Sequence, residues 1–310
     1  MITLIAPVYN EQDTIPLFYR EVRSKLLSLD VPVEVLFVDD GSRDDSLARI
    51  EALAAEDPLV SYVSFSRNFG KEAALLAGLE LCRGEAVIPI DVDLQDPVEL
   101  IPEMIAKWKQ GAEVVLAKRV NRESDVFFKR HSAGLFYWLH NKIAEDPIEK
   151  NTGDFRLMDR KVVDALRSLP ERNLFIKGLL SWVGFRRDIV TYTRPLRVAG
   201  QSKFNAWRLW SLALDGITSF STWPLRIWTY IGALIALLSF TYAAFLMLDK
   251  IMRGNPVPGY PSLMVTILFF GGIQLIGIGI LGEYLGRIFR ETKQRPRYII
   301  RKSNFSSKQE

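Results

Sequence analysis

The chain has one cysteine, Cys82, in 310 residues. No intramolecular disulfide is possible, and a reducing compartment fits. A lone cysteine reads as a small buried hydrophobe. Histidine is almost as scarce, His131 and His140 being the only two. The absence of a Cys/His cluster disfavours zinc. Charge of one sign is not in large excess either. Forty Lys+Arg against 36 Asp+Glu leave +4, too mild a balance to point to nucleic acid. The N-terminal stretch MITLIAPVYNE lacks both a basic segment and a long apolar core, so it does not read as a signal peptide.

What is present is a repeating alternation. ITLIAPVY, VEVLFVDD, VSYVSFS, EAVIPIDVD and AEVVLAKR read as buried strands. Between them lie helical stretches: TIPLFYREVRSKLLSL, DSLARIEALAAE, KEAALLAGLELC and ELIPEMIAKWKQG. Strands alternating with helices of this length predict βαβ units and a mostly parallel sheet, whose ligands bind at the carboxyl ends of the strands. Further on, VFFKRHSAGLFYWLHNKIAED reads as a basic aromatic helix. NTGDFRLMDR reads as a turn into a short strand, RRDIVTYTRPL as a strand and RVAGQSKF as a basic loop.

After residue 203 the character changes. FNAWRLWSLALDGITSFSTW is amphipathic and Trp-rich, which suits a helix in a membrane interface. Residues 227–248 and 263–281 then form two uncharged runs, each long enough to span hydrocarbon. Arg226 precedes the first, and Arg287, Arg290, Lys293, Arg295 and Arg297 follow the second, so the positive-inside rule puts both ends in the cytoplasm. Trp223, Trp228, Tyr230 and Tyr284 stand near the ends as interface anchors. The final residues, RKSNFSSKQE, read as a short disordered tail.

The most telling stretch is IPIDVDLQDP at 88–97. Strand alternation would put Asp91 and Asp93 on the same side. Carboxylates this close repel and call for a cation. Two hard oxygen ligands suit Mg2+ or Mn2+, which share their shell with substrate phosphates.

Five motifs in order, PVYNE (7–11), VDDGS (38–42), DVDLQDP (91–97), NTGDFRLMD (151–159) and RVAGQSK (197–203), resemble the family 2 glycosyltransferases of GT-A fold. More narrowly the chain resembles polyprenyl-phosphate glycosyltransferases, a group related to dolichyl-phosphate mannose synthases. It resembles in particular the prophage bactoprenol glucosyltransferases, which also carry two C-terminal spans ending in a pattern like LGEYLGRIF. The resemblance implies an α/β fold: a Rossmann-like, mostly parallel GT-A catalytic domain over 1–203, an amphipathic juxtamembrane helix over 204–223, a two-helix transmembrane hairpin over 224–290 and a basic, polar cytoplasmic tail over 291–310. It places the protein in the bacterial inner membrane as a homo-oligomer, a tetramer being one form that the relatives suggest.

The same resemblance implies roles. Pro7, Tyr9, Glu11 and Asp40 hold the base and ribose of a UDP-sugar. Asp91, Asp93 and Gln95 hold Mg2+ or Mn2+, with Asp91 also near the ribose. Arg197, Ser202 and Lys203 close over the diphosphate. Arg119 and Arg130 meet the phosphate of undecaprenyl phosphate, a task suited to the bidentate guanidinium. Asp154 matches the position assigned as catalytic base. A phosphate monoester with a second pKa near ~6 needs little deprotonation, so Asp154 is equally suited to orient the sugar or stabilise its developing charge. The implied reaction is inverting transfer of glucose. The alternatives are another sugar, mannose from GDP-mannose or a modified arabinose, and an inactive nucleotide-binding scaffold. Processive synthases are disfavoured, because no Q-x-x-R-W motif is present.

Overall fold

β1 (Ile2–Val8) is an almost wholly buried apolar strand, and the sheet grows outward from it in both directions. The computed structural model of the chain describes residues 1–26, 29, 31–120, 152–169, 183–193 and 259–305, together with helical positions between 228 and 252. On one side of β1 lie β2 (Val33–Asp39) and β3 (Val60–Phe65). On the other lies β4 (Ala86–Pro89). β5 (Val114–Arg119), β6 (Thr152–Asp159), β7 (Arg187–Tyr192) and β8 (Ile300–Ser303) complete the order β7-β5-β6-β4-β1-β2-β3-β8. Six strands point the same way, while β6 and β8 run against them. The expected mostly parallel sheet is therefore present. Its winding reverses at β1, so a crevice is expected between the carboxyl ends of β1 and β4.

Helices cover both faces. α1 (Ile15–Leu26), α2 (Ser46–Glu56) and α4 (Ile101–Lys109) pack Phe18, Ile50 and Met104 against the layer that holds Phe37, Ile88 and Phe155. α3 (Lys71–Leu81) and α5 (Arg160–Arg167) pack on the other face with Ile5, Leu36 and Met158. α3 is buried continuously from Ala73 to Leu79, as a helix apolar all round should be. Cys82, at its end, is 4% exposed, and burial pushes its thiol above the ordinary value, as expected for a packing residue.

Two features differ from expectation. TGD, expected in a turn, is strand instead, because Thr152 to Asp159 is one continuous strand paired with both β4 and β5. The tail is not wholly disordered either: β8 pairs with β3, so the sheet extends beyond residues 1–203. The reason is specific. The Tyr298 ring stacks on Phe65 at 4.9 Å, and its hydroxyl bonds Glu80. The Tyr62 N–H donates to Asn304 Oδ1 at 2.7 Å, and Asn304 Nδ2 donates to Val60 O at 3.1 Å. An otherwise open strand edge is thus covered.

α6 (Tyr260–Thr292) is 33 residues long, and Phe269–Gly286 within it is long and apolar enough to cross a membrane. It is the one such helix among the described residues. The expected span 263–281 lies inside it. Described positions of 227–248 are helical, the other positions of that run and all of 204–223 lying outside the described residues.

Asn304→Ala removes two of the side-chain hydrogen bonds that fasten β8. Each is worth about 1 kcal/mol net. The Tyr62 amide should exchange with solvent on the order of tenfold faster or more, and hydrogen-exchange mass spectrometry of the 60–66 segment measures it.

Candidate active site

The strand directions explain how distant residues meet. The carboxyl ends of β1, β2, β3, β4 and β5 share one edge of the sheet. β6 is reversed, so its beginning, with Asp154, arrives at that edge too. Pro7 to Glu11, Asp39 and Asp40, Asp91 to Gln95, Arg119 and Asp154 are thereby gathered. Arg130, Arg197, Ser202 and Lys203 lie outside the described residues.

The loops after β1 and β2 are laced together. The Asn10 N–H donates to Ser42 Oγ and the Arg43 N–H to Asn10 Oδ1. The Glu11 N–H donates to Ser46 Oγ at 2.8 Å, and the Asp45 N–H to Gln12 Oε1 at 3.0 Å. Asn10 adopts φ 56, which turns the chain after β1. Pro7 and Glu11 are half-buried, with Glu11 Oε2 accepting from the Thr14 hydroxyl. Tyr9 is 40% exposed and offers a ring face at the rim.

Asp39 and Asp40 are both buried but have different partners. Asp39 accepts from the Ser42 N–H and the Ser64 hydroxyl. Asp40 accepts the Phe69 N–H at 2.6 Å and the Gly70 N–H at 2.9 Å, one on each oxygen. Burial pushes the Asp40 carboxyl above its ordinary value against those two bonds. Asp40 thus anchors the turn that leads into α3. Gly41, at φ 68, lies against the backbone of Arg67, and a Cβ there would overlap it.

That turn delivers Lys71. Its Nζ lies 2.7 Å from Asp91 Oδ1, 2.8 Å from Asp91 Oδ2 and 3.0 Å from Asp154 Oδ2. Burial opposes the charge on Lys71, but the Asp91 and Asp154 carboxylates outweigh it and raise the ammonium above its ordinary value. The acidic strand end therefore has an internal cation, which the sequence reading missed. The signal was present: a lysine opens a largely apolar helix, at the end where the helix dipole disfavours positive charge. Arg156 was missed as well. It is two residues after Asp154 on β6, hence on the same face, and it is 5% exposed, with Nη2 donating to Gly153 O at 2.5 Å.

Asp91 and Asp93 do not continue a strand. β4 stops at Pro89, Val92 is buried, and Leu94 takes φ 58. Asp93 Oδ1 accepts the Gln95 N–H at 3.1 Å, closing a tight turn. Among the described residues, no three His, Cys, Asp or Glu side chains gather to hold a metal alone. Asp91, Asp93 and Gln95 are hard oxygen donors in one turn. They fit a divalent cation that takes the rest of its shell from a ligand's phosphates.

Paired acidic residues at the switch point of a doubly wound sheet define a class, that of α/β proteins taking a ligand in the crevice at the carboxyl ends of their strands. The chain belongs to a particular family within it. Residues 3–167 match the family described as Glycosyl transferase family 2, and residues 223–288 match the GtrB C-terminal hairpin. The protein is thus a glycosyltransferase, with a GT-A-like fold. It is 59% identical to the SfII prophage-derived bactoprenol glucosyl transferase of Shigella flexneri, over 98% of both chains. It is 58% identical to the prophage bactoprenol glucosyl transferase homolog of Escherichia coli (strain K12), over 97% of this chain and 98% of that one. Among solved structures, glucosyl-3-phosphoglycerate synthase from Mycobacterium tuberculosis, in complex with Mn2+, UDP-glucose and glycerol 3-phosphate, is 21% identical with a TM-score of 0.46. The match covers 70% of this chain and 78% of that one.

Gly41→Ala forces a side chain into a left-handed backbone and onto Arg67. A cost of about 1–3 kcal/mol is expected. Thermal unfolding, followed by scanning calorimetry, should shift downward by several degrees.

Proposed function

We propose that the chain transfers glucose from UDP-glucose to undecaprenyl phosphate at the cytoplasmic face of the bacterial inner membrane. One observation carries the reading: Asp91, Asp93 and Asp154 converge at a single sheet edge, in a chain closely similar over almost its whole length to proteins named bactoprenol glucosyl transferases.

The nucleoside lies over the laced β1 and β2 loops, with the exposed Tyr9 ring available for stacking. Pro7 and Glu11 shape this pocket, and Asp40 supports it through the Phe69–Gly70 turn. Asp91, Asp93 and Gln95 would hold a divalent cation, Mg2+ or Mn2+, which when bound offsets charge on the diphosphate leaving group. Arg197, Ser202 and Lys203 cover the diphosphate. Arg119, at the end of β5, and Arg130 receive the lipid phosphate. One phosphate oxygen forms the new bond to the anomeric carbon while the bond to UDP breaks on the opposite face. Asp154, on the strand beside β4, orients the sugar or steadies its developing positive charge.

The membrane reading rests on α6 and its neighbour. Leu275, Ile278 and Leu281 are each about 60–70% exposed, an arrangement costly in water and natural in lipid. Gly277 is buried against Trp228, at a place where a Cβ would overlap the indole. A small residue that admits a large ring is a common basis of helix contact in bilayers. It supports a first span over 227–248 packed on α6, and the basic residues flanking the two runs favour cytoplasmic ends.

The test is UDP release by purified full-length protein given UDP-glucose and undecaprenyl phosphate. Release should require the lipid phosphate and stop in excess EDTA. Asp93→Asn should lower kcat/KM by about a hundredfold or more, ~3 kcal/mol of barrier, while the protein stays folded. Full activity of that variant in EDTA would defeat the metal reading. A UDP-sugar with an α linkage should give a β-linked lipid phosphate, because one displacement inverts the centre. The coupling constants of the product's anomeric proton decide this. An α product, or a glycosyl adduct on Asp154, would show a double displacement.

A further inference from the structure

Lys71 stands between two carboxylates that the transfer uses for different purposes. Asp91 belongs to the donor end of the site and Asp154 to the sugar. An ammonium has three protons. Here three oxygens lie within 3.0 Å of it, both from Asp91 and one from Asp154. The first residue of α3 is the wrong end of a helix for a cation, so the carboxylates, not the helix, set its position. The backbone beneath is held as well, since Asp40 binds the amides of Phe69 and Gly70 immediately before it.

We propose that Lys71 is a positioning residue of the transfer reaction. It holds Asp91 and Asp154 together in the donor-free enzyme and gives up Asp91 to the cation that accompanies the donor diphosphate. The inference rests on the assignment of Asp91 as a metal ligand. Its physical basis is competition. Both oxygens of Asp91 are occupied by one positive charge, and a divalent cation approaching the same carboxylate is repelled by it. The donor diphosphate carries the anionic oxygens that can receive the displaced ammonium. Lys71 therefore makes divalent cation and nucleotide depend on each other. By linkage, each strengthens the binding of the other by the same factor. It also keeps a bare cation from settling among the carboxylates before the sugar donor arrives. Asp154 keeps its contact with Lys71 through the exchange, so the sugar-facing carboxylate remains in register with α3.

The experiment is direct Mn2+ binding, read from the free-ion electron paramagnetic resonance signal of the full-length detergent-solubilised protein, with and without UDP. Wild type should bind Mn2+ weakly alone and much more tightly with UDP. Lys71→Met should bind Mn2+ alone about tenfold tighter than wild type, the scale of a unit charge removed from a few ångströms away in a wet site. The strengthening by UDP should shrink accordingly. Lys71→Arg, which keeps the charge, should restore weak binding of Mn2+ alone and most of the UDP effect. Each variant is first checked by thermal unfolding, and Lys71→Gln replaces Lys71→Met should the latter not fold. Equal or weaker binding of Mn2+ alone in a folded neutral variant, with the UDP effect unchanged, overturns the inference and leaves the metal site standing. A wild-type protein that binds no Mn2+ even with UDP overturns the metal reading and the inference together.

Discussion

Two carboxylates and one ammonium within 3.0 Å tie together three segments far apart in the chain: the turn after β4, the start of α3 and the start of β6. Each segment is there for its own reason. The turn follows because β4 ends at Pro89 and Leu94 takes a left-handed conformation. α3 starts where Asp40 catches two backbone amides. β6 starts at the edge because it runs against its neighbours. Had β6 been parallel, Asp154 would lie at the opposite end of the sheet. Its reversed insertion between β4 and β5 is thus the topological condition on which the site depends.

Much of the fold was legible because buried parallel strands are written as apolar runs. VEVLFVDD and AEVVLAKR needed nothing but their composition to be read. Strand direction has no such signature. The alternation of TGDFRLMD is the same in either sense, so β6 read as a turn and short strand. β8 was illegible for a different reason. IRKS has little apolar content, and it becomes a strand through Tyr298 and Asn304 on either side of it.

The site was legible as a set of acids and not as a circuit. Asp91 and Asp93 announce themselves by spacing, since acids after an apolar run are seldom accidental, whereas Asp154 is named only through the family resemblance. Lys71 does not announce itself, because a lysine at a helix end looks like any solvated charge until its partners are known. Asp40 shows the converse. Its motif suggested a ligand contact but gave no hint that its oxygens also each accept a backbone amide of the neighbouring turn.

The direction of β8 has a consequence for how the substrate is found. β8 is antiparallel to β3, with Ile300 opposite Phe65, so the chain leaving α6 enters the sheet at the catalytic edge. Seven residues, 293–299, separate the helix from the strand. Fully extended, they span at most about 25 Å. With α6 in the bilayer, this leash keeps the catalytic edge near the headgroups. A lipid phosphate then reaches it by lateral diffusion. The search is two-dimensional, and its rate depends on the surface density of the lipid carrier.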